Sequence, residues 1–386
     1  MDTKEIEYLF GGFVPFEHNL LVISYANFLL DINLENGIIQ FSKSISSEIS
    51  RMAAKVDWFI RADDYLLATD MWGNHAYLYE PKENRWIELE ISCHGKPWGN
   101  FIDVFLYHGY IYIIPRYREF LVKIDFKKRT VLQMECPVLQ QIEKERVVSC
   151  RNENFIYFFE RYGNKVFAFD LKTGHYTQKE LPDVMYDIVS IRIHKDTFFI
   201  LSECGCLDSW EEGPNVLHRM AEPIGENGSK IFTDLAVTDQ NIWLLPQLGD
   251  DIYILDCRDG MLKRYDEYPS NFAYADFTNY SKFAYGQEYR EKIYFGMHSA
   301  NHLLEIDKKT GTAEWLAPIL PTEQETYLYR QRYGLSFEEK EKEVSLHEYV
   351  KKIPQMDDTE VLYENKERTI GAEIWETLKC EGREKV

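Results

Sequence analysis

One frame of about 45 residues recurs along most of this chain, and it constrains the fold more than any other feature. Asp170 serves as the reference point. Gly163-Asn164 stand seven and six residues before it, and Ile156-Tyr157 stand fourteen and thirteen before it. The same frame fits at Asn33, Glu80, Asp125, Glu212, Asp256 and Asp307, with successive gaps of 47, 45, 45, 42, 44 and 51 residues. The apolar pair recurs as Leu66-Leu67, Ile111-Tyr112, Phe198-Phe199, Ile242-Trp243 and Ile293-Tyr294. The turn-forming pair recurs as Ala26-Asn27, Gly73-Asn74, Arg118-Glu119, Gly205-Cys206, Gly249-Asp250 and Ala300-Asn301. After the reference residue comes a second polar turn: "LENG", "KENR", "KKRT", "LKTG", "CRDG" and "KKTG", with "EGPN" irregular in the fifth unit.

Two apolar runs around a Gly/Asn pair read as antiparallel strands joined by a tight turn, because these residues tolerate positive φ. Each unit therefore reads as strand, strand, turn, strand, turn, strand. Four-stranded units repeated at this period are the mark of propeller blades. A single blade leaves both faces open to water, whereas a closed ring buries both and leaves few free edges. The chain is expected to form an all-β, seven-bladed propeller of four-stranded antiparallel blades over residues 1–318. A six-bladed ring with one degenerate unit is the alternative. An early strand near Glu5–Phe10 is expected to close the ring against the last blade.

"IYIIPR" (Ile111–Arg116) followed by "KIDFKKRTV" is similar to the second and third strands of kelch repeats. "YEPKENRW" (Tyr79–Trp86) resembles the kelch third-strand end, turn and fourth-strand Trp. The units thus resemble kelch-like bacterial propeller repeats over about 300 residues. They lack the paired glycines that end the kelch second strand; Pro115-Arg116, Glu160-Arg161, Pro246-Gln247 and Met297-His298 stand there instead. The resemblance implies a fold and no activity, since this fold hosts binders and enzymes alike.

In a propeller the turns between second and third strands gather around one mouth of the central channel. The residues nine and eight before each reference position lie there: Ser24-Tyr25, Met71-Trp72, Arg116-Tyr117, Arg161-Tyr162, Glu203-Cys204, Gln247-Leu248 and His298-Ser299. The scaffold around them is monotonous and these positions vary. Arg-Tyr repeats in adjacent units, and a guanidinium fork beside an aromatic ring suits a carboxylate or phosphate on a sugar-like body. The expected ligand-binding residues are Arg116, Tyr117, Arg161, Tyr162, Trp72, Gln247 and Trp98, the last from the loop "CHGKPWGN" (Cys93–Asn100). Glu203 and His298 are catalytic candidates, as a carboxylate and an imidazole on the same rim. All of these residues also fit a plainer role as solvated turn flanks and braces between blades. An Asp recurs where inner strands begin, in Val56-Asp57-Trp58, Ile102-Asp103-Val104, Tyr186-Asp187-Ile188 and Thr233-Asp234-Leu235. There it either faces the channel or braces nearby backbone N–H groups.

The function expected from this pattern is a ligand- or protein-binding or assembly module using the Arg- and aromatic-rich face. The alternative is an enzyme, a lyase, epimerase or hydrolase acting on an anionic sugar or sugar acid. Neither a phosphate-binding Gly loop, nor a dinucleotide fingerprint, nor a nucleophile elbow is present, and no cofactor is expected. His298 and His302 could face each other across a hairpin, but a third metal ligand is missing, and no metal is expected. Lys+Arg 44 against Asp+Glu 64 gives a net charge of −20. So acidic a surface repels phosphate backbones and anionic lipid heads, which argues against nucleic acid and membranes as partners. The start "MDTKEIEYLFGG" lacks the basic and apolar regions of a signal peptide. Seven scattered cysteines suit reduced thiols better than a disulfide framework, so a cytoplasmic location is expected.

Past Pro318 the strand frame stops. Residues 319–386 are rich in Glu and Lys, and two helical patterns appear. Ser345 and Glu348 form a capping box before Leu346, Val350 and Ile353, while Ile370, Ile374 and Leu378 make a second stripe. This short helical appendage is expected to fold back on the propeller, or to dock a protein partner or a second copy of the chain.

Overall fold

The computed structural model describes residues 10–24, 28–44, 56–70, 75–80, 83, 85–93, 101–142, 147–185, 187–224, 232–247, 251–272, 283, 286–296 and 300–318. They form seven four-stranded antiparallel sheets, each built from four consecutive strands. The blades span residues 10–44, 56–90, 101–135, 147–185, 188–221, 232–264 and 287–316. The ring is seven-bladed, and the six-bladed alternative does not hold. In each blade the first strand lies innermost and lines the channel, and the fourth lies outermost. The only helix among the described residues is one turn, Val138–Gln141, between blades three and four. No described helix is long and apolar enough to cross a membrane. The helical appendage expected over residues 319–386 lies outside the described residues.

The apolar pair in each second strand now has a physical reason. Successive strand side chains point to opposite faces, so one residue of each pair enters the seam before its blade and the other the seam after it. Leu66 packs with Val14 and Leu21 of blade one, while Leu67 packs with Val104 and Ile113 of blade three. Ile156 faces Tyr112 of blade three, and Tyr157 faces Phe198 of blade five. Seven apolar clusters result, one at each seam of the ring. These strands read as continuous apolar runs because both faces are buried.

The reference residue of the repeat also has its reason. Asn33, Asp125, Asp170, Asp256 and Asp307 end the third strand of their blades. Their side chains accept backbone N–H groups two or three residues on: from Glu35 and Asn36 (2.9 and 3.1 Å), Lys128 (3.0 Å), Lys172 (2.7 Å), Arg258 (2.8 Å) and Thr310 (2.8 Å). Each builds an Asx turn into the fourth strand. A glutamate is too long for this, and the two glutamates do other work. Glu80 takes Arg85 (2.9 Å) and Arg129 (2.8 Å), and Glu212 accepts from Tyr157 Oη (2.9 Å).

Of the closing strand expected near Glu5–Phe10 only Phe10 is described, in the inner strand of blade one, and the rest lies outside the described residues. Among the described residues blades seven and one meet by side-to-side packing, with Phe13, Leu20 and Val22 of blade one against Tyr294 and Leu303 of blade seven. Gly37 (φ +73°) brings a turn of blade one against Ala317, whose carbonyl oxygen would stand 2.6 Å from an added Cβ. One expectation is corrected, the turn in blade four. Strand pairing there stops at Phe159 opposite Val166, and Gly163 already pairs with Met185 of the outer strand. The chain therefore reverses at Arg161-Tyr162, with Gly163 opening the third strand.

Candidate functional site: the channel and its rim

The inner strands enclose a central cavity of about 1070 Å³. Arg116, Arg161 and Gln247 line it, as the rim pattern predicts. Tyr117 and Tyr162 are not part of its lining, and Tyr162 is an exposed aromatic at the turn tip. Glu203 is buried beside Arg161 rather than in the lining. Trp72, Trp98 and His298 lie outside the described residues. His302 is buried, with Nδ1 2.7 Å from Asn301 Oδ1 and its ring against Phe272 and Trp315. No group of three or more potential metal ligands occurs among the described residues.

Arg161 is anchored at the junction of blades four and five. Its carbonyl accepts Ile188 N–H (3.1 Å), while Asp187 carbonyl accepts Glu203 N–H (2.8 Å). Its Nε lies 2.5 Å from Asp187 Oδ1, close as an ion pair but out of line for a hydrogen bond, and Nη2 reaches Glu203 Oε2 at 3.4 Å. Asp187 itself sits at φ 50°, a left-handed conformation that Asp tolerates better than most residues. The Arg-Tyr turn thus combines a rim position with a brace between blades.

Three further arginines, Arg61, Arg151 and Arg192, reach the channel from the inner strands, and the rim pattern misses them. Arg151 pairs with Asp103 of blade three and lies 4.6 Å from the Phe105 ring centroid. Arg192 Nη2 donates to Asp234 Oδ2 of blade six (2.6 Å), and its Nε to Leu235 carbonyl (3.3 Å). Asp234 also accepts Ser190 Oγ (2.5 Å), its neighbour Leu235 N–H (2.8 Å) and Gly286 N–H of blade seven (2.9 Å). One carboxylate therefore ties three blades together. Burial opposes the Arg192 charge, but Asp234, Glu288 and Asp103 outweigh it and hold the guanidinium above its ordinary value. The available sequence signal was a lone Arg inside otherwise apolar inner strands, "VVSCR" and "IVSIRIH".

The recurrent Asp of the inner strands proves to be two different things. Asp103 and Asp234 are equivalent, each opposite the next-to-last residue of the second strand, just past an irregularity in register. Both brace a following N–H and take an Arg from a neighbouring blade. Asp187 instead precedes its strand. Register irregularities of this kind re-aim side chains at the ends of closed sheets, and here they turn the carboxylates toward the seams.

The pairs share a polarity. Arg151 is 42% exposed against 8% for Asp103, Arg192 31% against 1% for Asp234, and Arg161 28% against 10% for Glu203. In each of these three pairs the guanidinium is the more exposed partner, whereas Arg161 and Asp187 are about equally exposed. Five arginines line the cavity, Arg61, Arg116, Arg151, Arg161 and Arg192, against three carboxylates, Asp63, Asp103 and Glu288.

No protein-family model matches the chain, and no curated protein matches it in sequence. Solved structures do match. A streptogramin B lyase superposes with a TM-score of 0.57 at 12% identity, covering 82% of this chain and 95% of that one. PorZ, an essential bacterial surface component of the type-IX secretion system of Porphyromonas gingivalis, gives 0.53 at 9% identity, covering 80% and 38%. The extracellular domain of a hybrid two-component system from B. thetaiotaomicron gives 0.51 at 13%, covering 82% and 40%. At such identities the likeness is one of fold: this chain is a seven-bladed β-propeller.

Proposed function

We propose that this protein is a binding module whose channel holds a small anionic ligand, a carboxylate or phosphate on a sugar-like body. The observation that carries the reading is the excess of arginine in the cavity wall, Arg61, Arg116, Arg151, Arg161 and Arg192 against Asp63, Asp103 and Glu288, in a chain of net charge −20. A guanidinium donates through five N–H groups in a fixed fork, so one engaged with a seam carboxylate keeps donors for a second anion. A cavity of about 1070 Å³ has room for a ligand of nucleotide-sugar size. Exposed Tyr162 beside Arg161 supplies an aromatic face at the rim.

The enzyme reading rests on Glu203, which is buried within 3.4 Å of Arg161. That carboxylate is engaged as the partner of Arg161, which favours binding over proton transfer. A partner protein, an acidic peptide or a second copy of the chain docking through residues 319–386 belongs to the same proposal as a route to assembly. We place the protein in the cytoplasm, a reading supported by six cysteines outside disulfides among the described residues.

The test is a thermal-shift screen with sugar acids, nucleotide sugars, phosphorylated metabolites and acidic peptides. A ligand that binds the folded state raises the melting temperature in proportion to its occupancy. Stabilisation by a small anion, and none by its neutral analogue, supports the proposal. Stabilisation by peptides alone would replace it with a peptide-binding role, and a flat response across the panel would refute it.

A further inference from the structure

The turn after Glu203 carries chemistry that the binding proposal does not use. Cys204 Sγ lies 3.3 Å from Cys206 Sγ. Gly205 between them adopts φ +83°, a left-handed conformation that puts both thiols on one side of the turn. Ser202 N–H donates to Cys206 carbonyl (2.9 Å), Gly205 N–H to Ser202 carbonyl (2.9 Å), and Ile224 N–H to Cys204 carbonyl (3.1 Å). The close pair of sulfurs is therefore fixed by backbone bonds on both sides. Cys93, Cys136 and Cys150 are buried at separate seams, and Cys257 is exposed and outside the pair.

We propose that Cys204 and Cys206 form a dithiol site that exchanges with low-molecular-weight disulfides and closes to a reversible intramolecular disulfide. A disulfide needs its sulfurs about 2.05 Å apart, so the pair at 3.3 Å closes a gap of about 1.2 Å, within reach of side-chain rotation in a turn already bent. Cys204 is half-buried and Cys206 buried, so a solution disulfide meets Cys204 first. Burial, with the neighbouring Cys204 thiol adding to it, pushes the Cys206 thiol up to about 12 and keeps it protonated at neutral pH, so the second step rests on its closeness to Cys204 rather than on a ready thiolate. Arg219 Nη1, 3.7 Å from Cys206 Sγ, favours the thiolate as it forms.

The exchange balances in two steps. The Cys204 thiolate attacks one sulfur of glutathione disulfide; the S–S bond breaks, and one glutathione leaves with the Cys204 proton. The Cys206 thiolate then attacks Cys204 Sγ in the mixed disulfide, and the second glutathione leaves with the Cys206 proton. The protein dithiol is oxidised by two electrons, and one disulfide is reduced to two thiols. The new ring sits one residue from Glu203, which holds Arg161 at the channel wall.

The experiment treats the full-length folded chain with glutathione disulfide, blocks remaining thiols and maps peptides by mass. The expected result is a peptide containing Cys204 and Cys206 that has lost two hydrogens, with those two thiols unreactive to the blocking reagent until a reductant is added. Cys206→Ser is expected to stop at a glutathione adduct on Cys204. If Cys204 and Cys206 stay reduced while Cys257 or Cys380 is modified, the proposal is overturned. It is also overturned if wild-type protein accumulates a stable mixed disulfide with no closure.

Discussion

Asp234 accepts four hydrogen bonds from three blades, and its replacement by alanine should be the costliest single polar change in the described ring. Asp234→Ala leaves the Arg192 guanidinium without its carboxylate, and Ser190 Oγ and Gly286 N–H without acceptors. Removing one partner of a buried ion pair costs about 3–5 kcal/mol. Arg192 keeps 31% exposure to the lumen, so water recovers part of its solvation, and we expect about 3 kcal/mol, the lower end of that range. Asp103→Ala is the matched control. Its partner Arg151 is 42% exposed, and about 1–2 kcal/mol is expected. The assay is urea unfolding at neutral pH, read through the tryptophans. The double variant Asp234→Ala/Arg192→Met should recover most of the loss, because it buries no unpaired charge. A cost below about 1 kcal/mol for Asp234→Ala, or one no larger than that of Asp103→Ala, would refute the reading of Asp234 as the tie between blades.

Three other outcomes are expected. Gly37→Ala should cost about 1–3 kcal/mol, from its left-handed φ and the close Ala317 carbonyl; an unchanged urea midpoint would show that ring closure does not depend on this contact. Arg161→Ala should destabilise by about 1–3 kcal/mol even without ligand, since Asp187 and Glu203 lose their shared partner, and equal midpoints would leave Arg161 no bracing role. The Asx-turn aspartates should shape the acid limb of stability. The backbone N–H of Lys128 lowers Asp125, the Thr173 hydroxyl Asp170 and the backbone N–H of Thr310 Asp307, while Arg258 holds Asp256 down at about 2. A carboxylate lowered on folding stabilises the protein above its ordinary value of 3.8, and that contribution is lost as pH falls toward the folded value. Replacing the four with Asn, the residue that blade one already uses at Asn33, should therefore flatten the fall in stability between pH 4 and pH 2; parallel curves would contradict this cause.

The fold was legible because its determinants are local. The Asx-turn residue, the second turn and the paired apolar residues all recur within one unit, and each reflects a rule about a single blade or its two faces. The charged wall was not legible, because its pairs join residues 42 to 48 positions apart in different blades: Arg161 with Glu203, Arg192 with Asp234, and Asp103 with Arg151. Which carboxylate meets which arginine depends on irregularities in strand register that a repeat count averages away. The same effect placed Asp187 outside its strand while Asp103 and Asp234 lie within theirs. Arg161 carried a signal at the rim, but its work as a brace came from Asp187 across the junction, which local spacing does not reveal.

The central claim is that lumen-facing guanidinium binds an anion, and isothermal titration tests it most directly. The titrant is the sugar acid or nucleotide sugar that stabilises the wild type most in the thermal screen, and the second protein is Arg116→Ala, which removes one guanidinium of the cavity lining. The account predicts saturable binding to wild type that weakens with added salt and falls at least tenfold in Arg116→Ala, the loss of about 1.4 kcal/mol expected for a charged hydrogen bond. Equal affinity in the two proteins, or binding unaffected by salt, would contradict it.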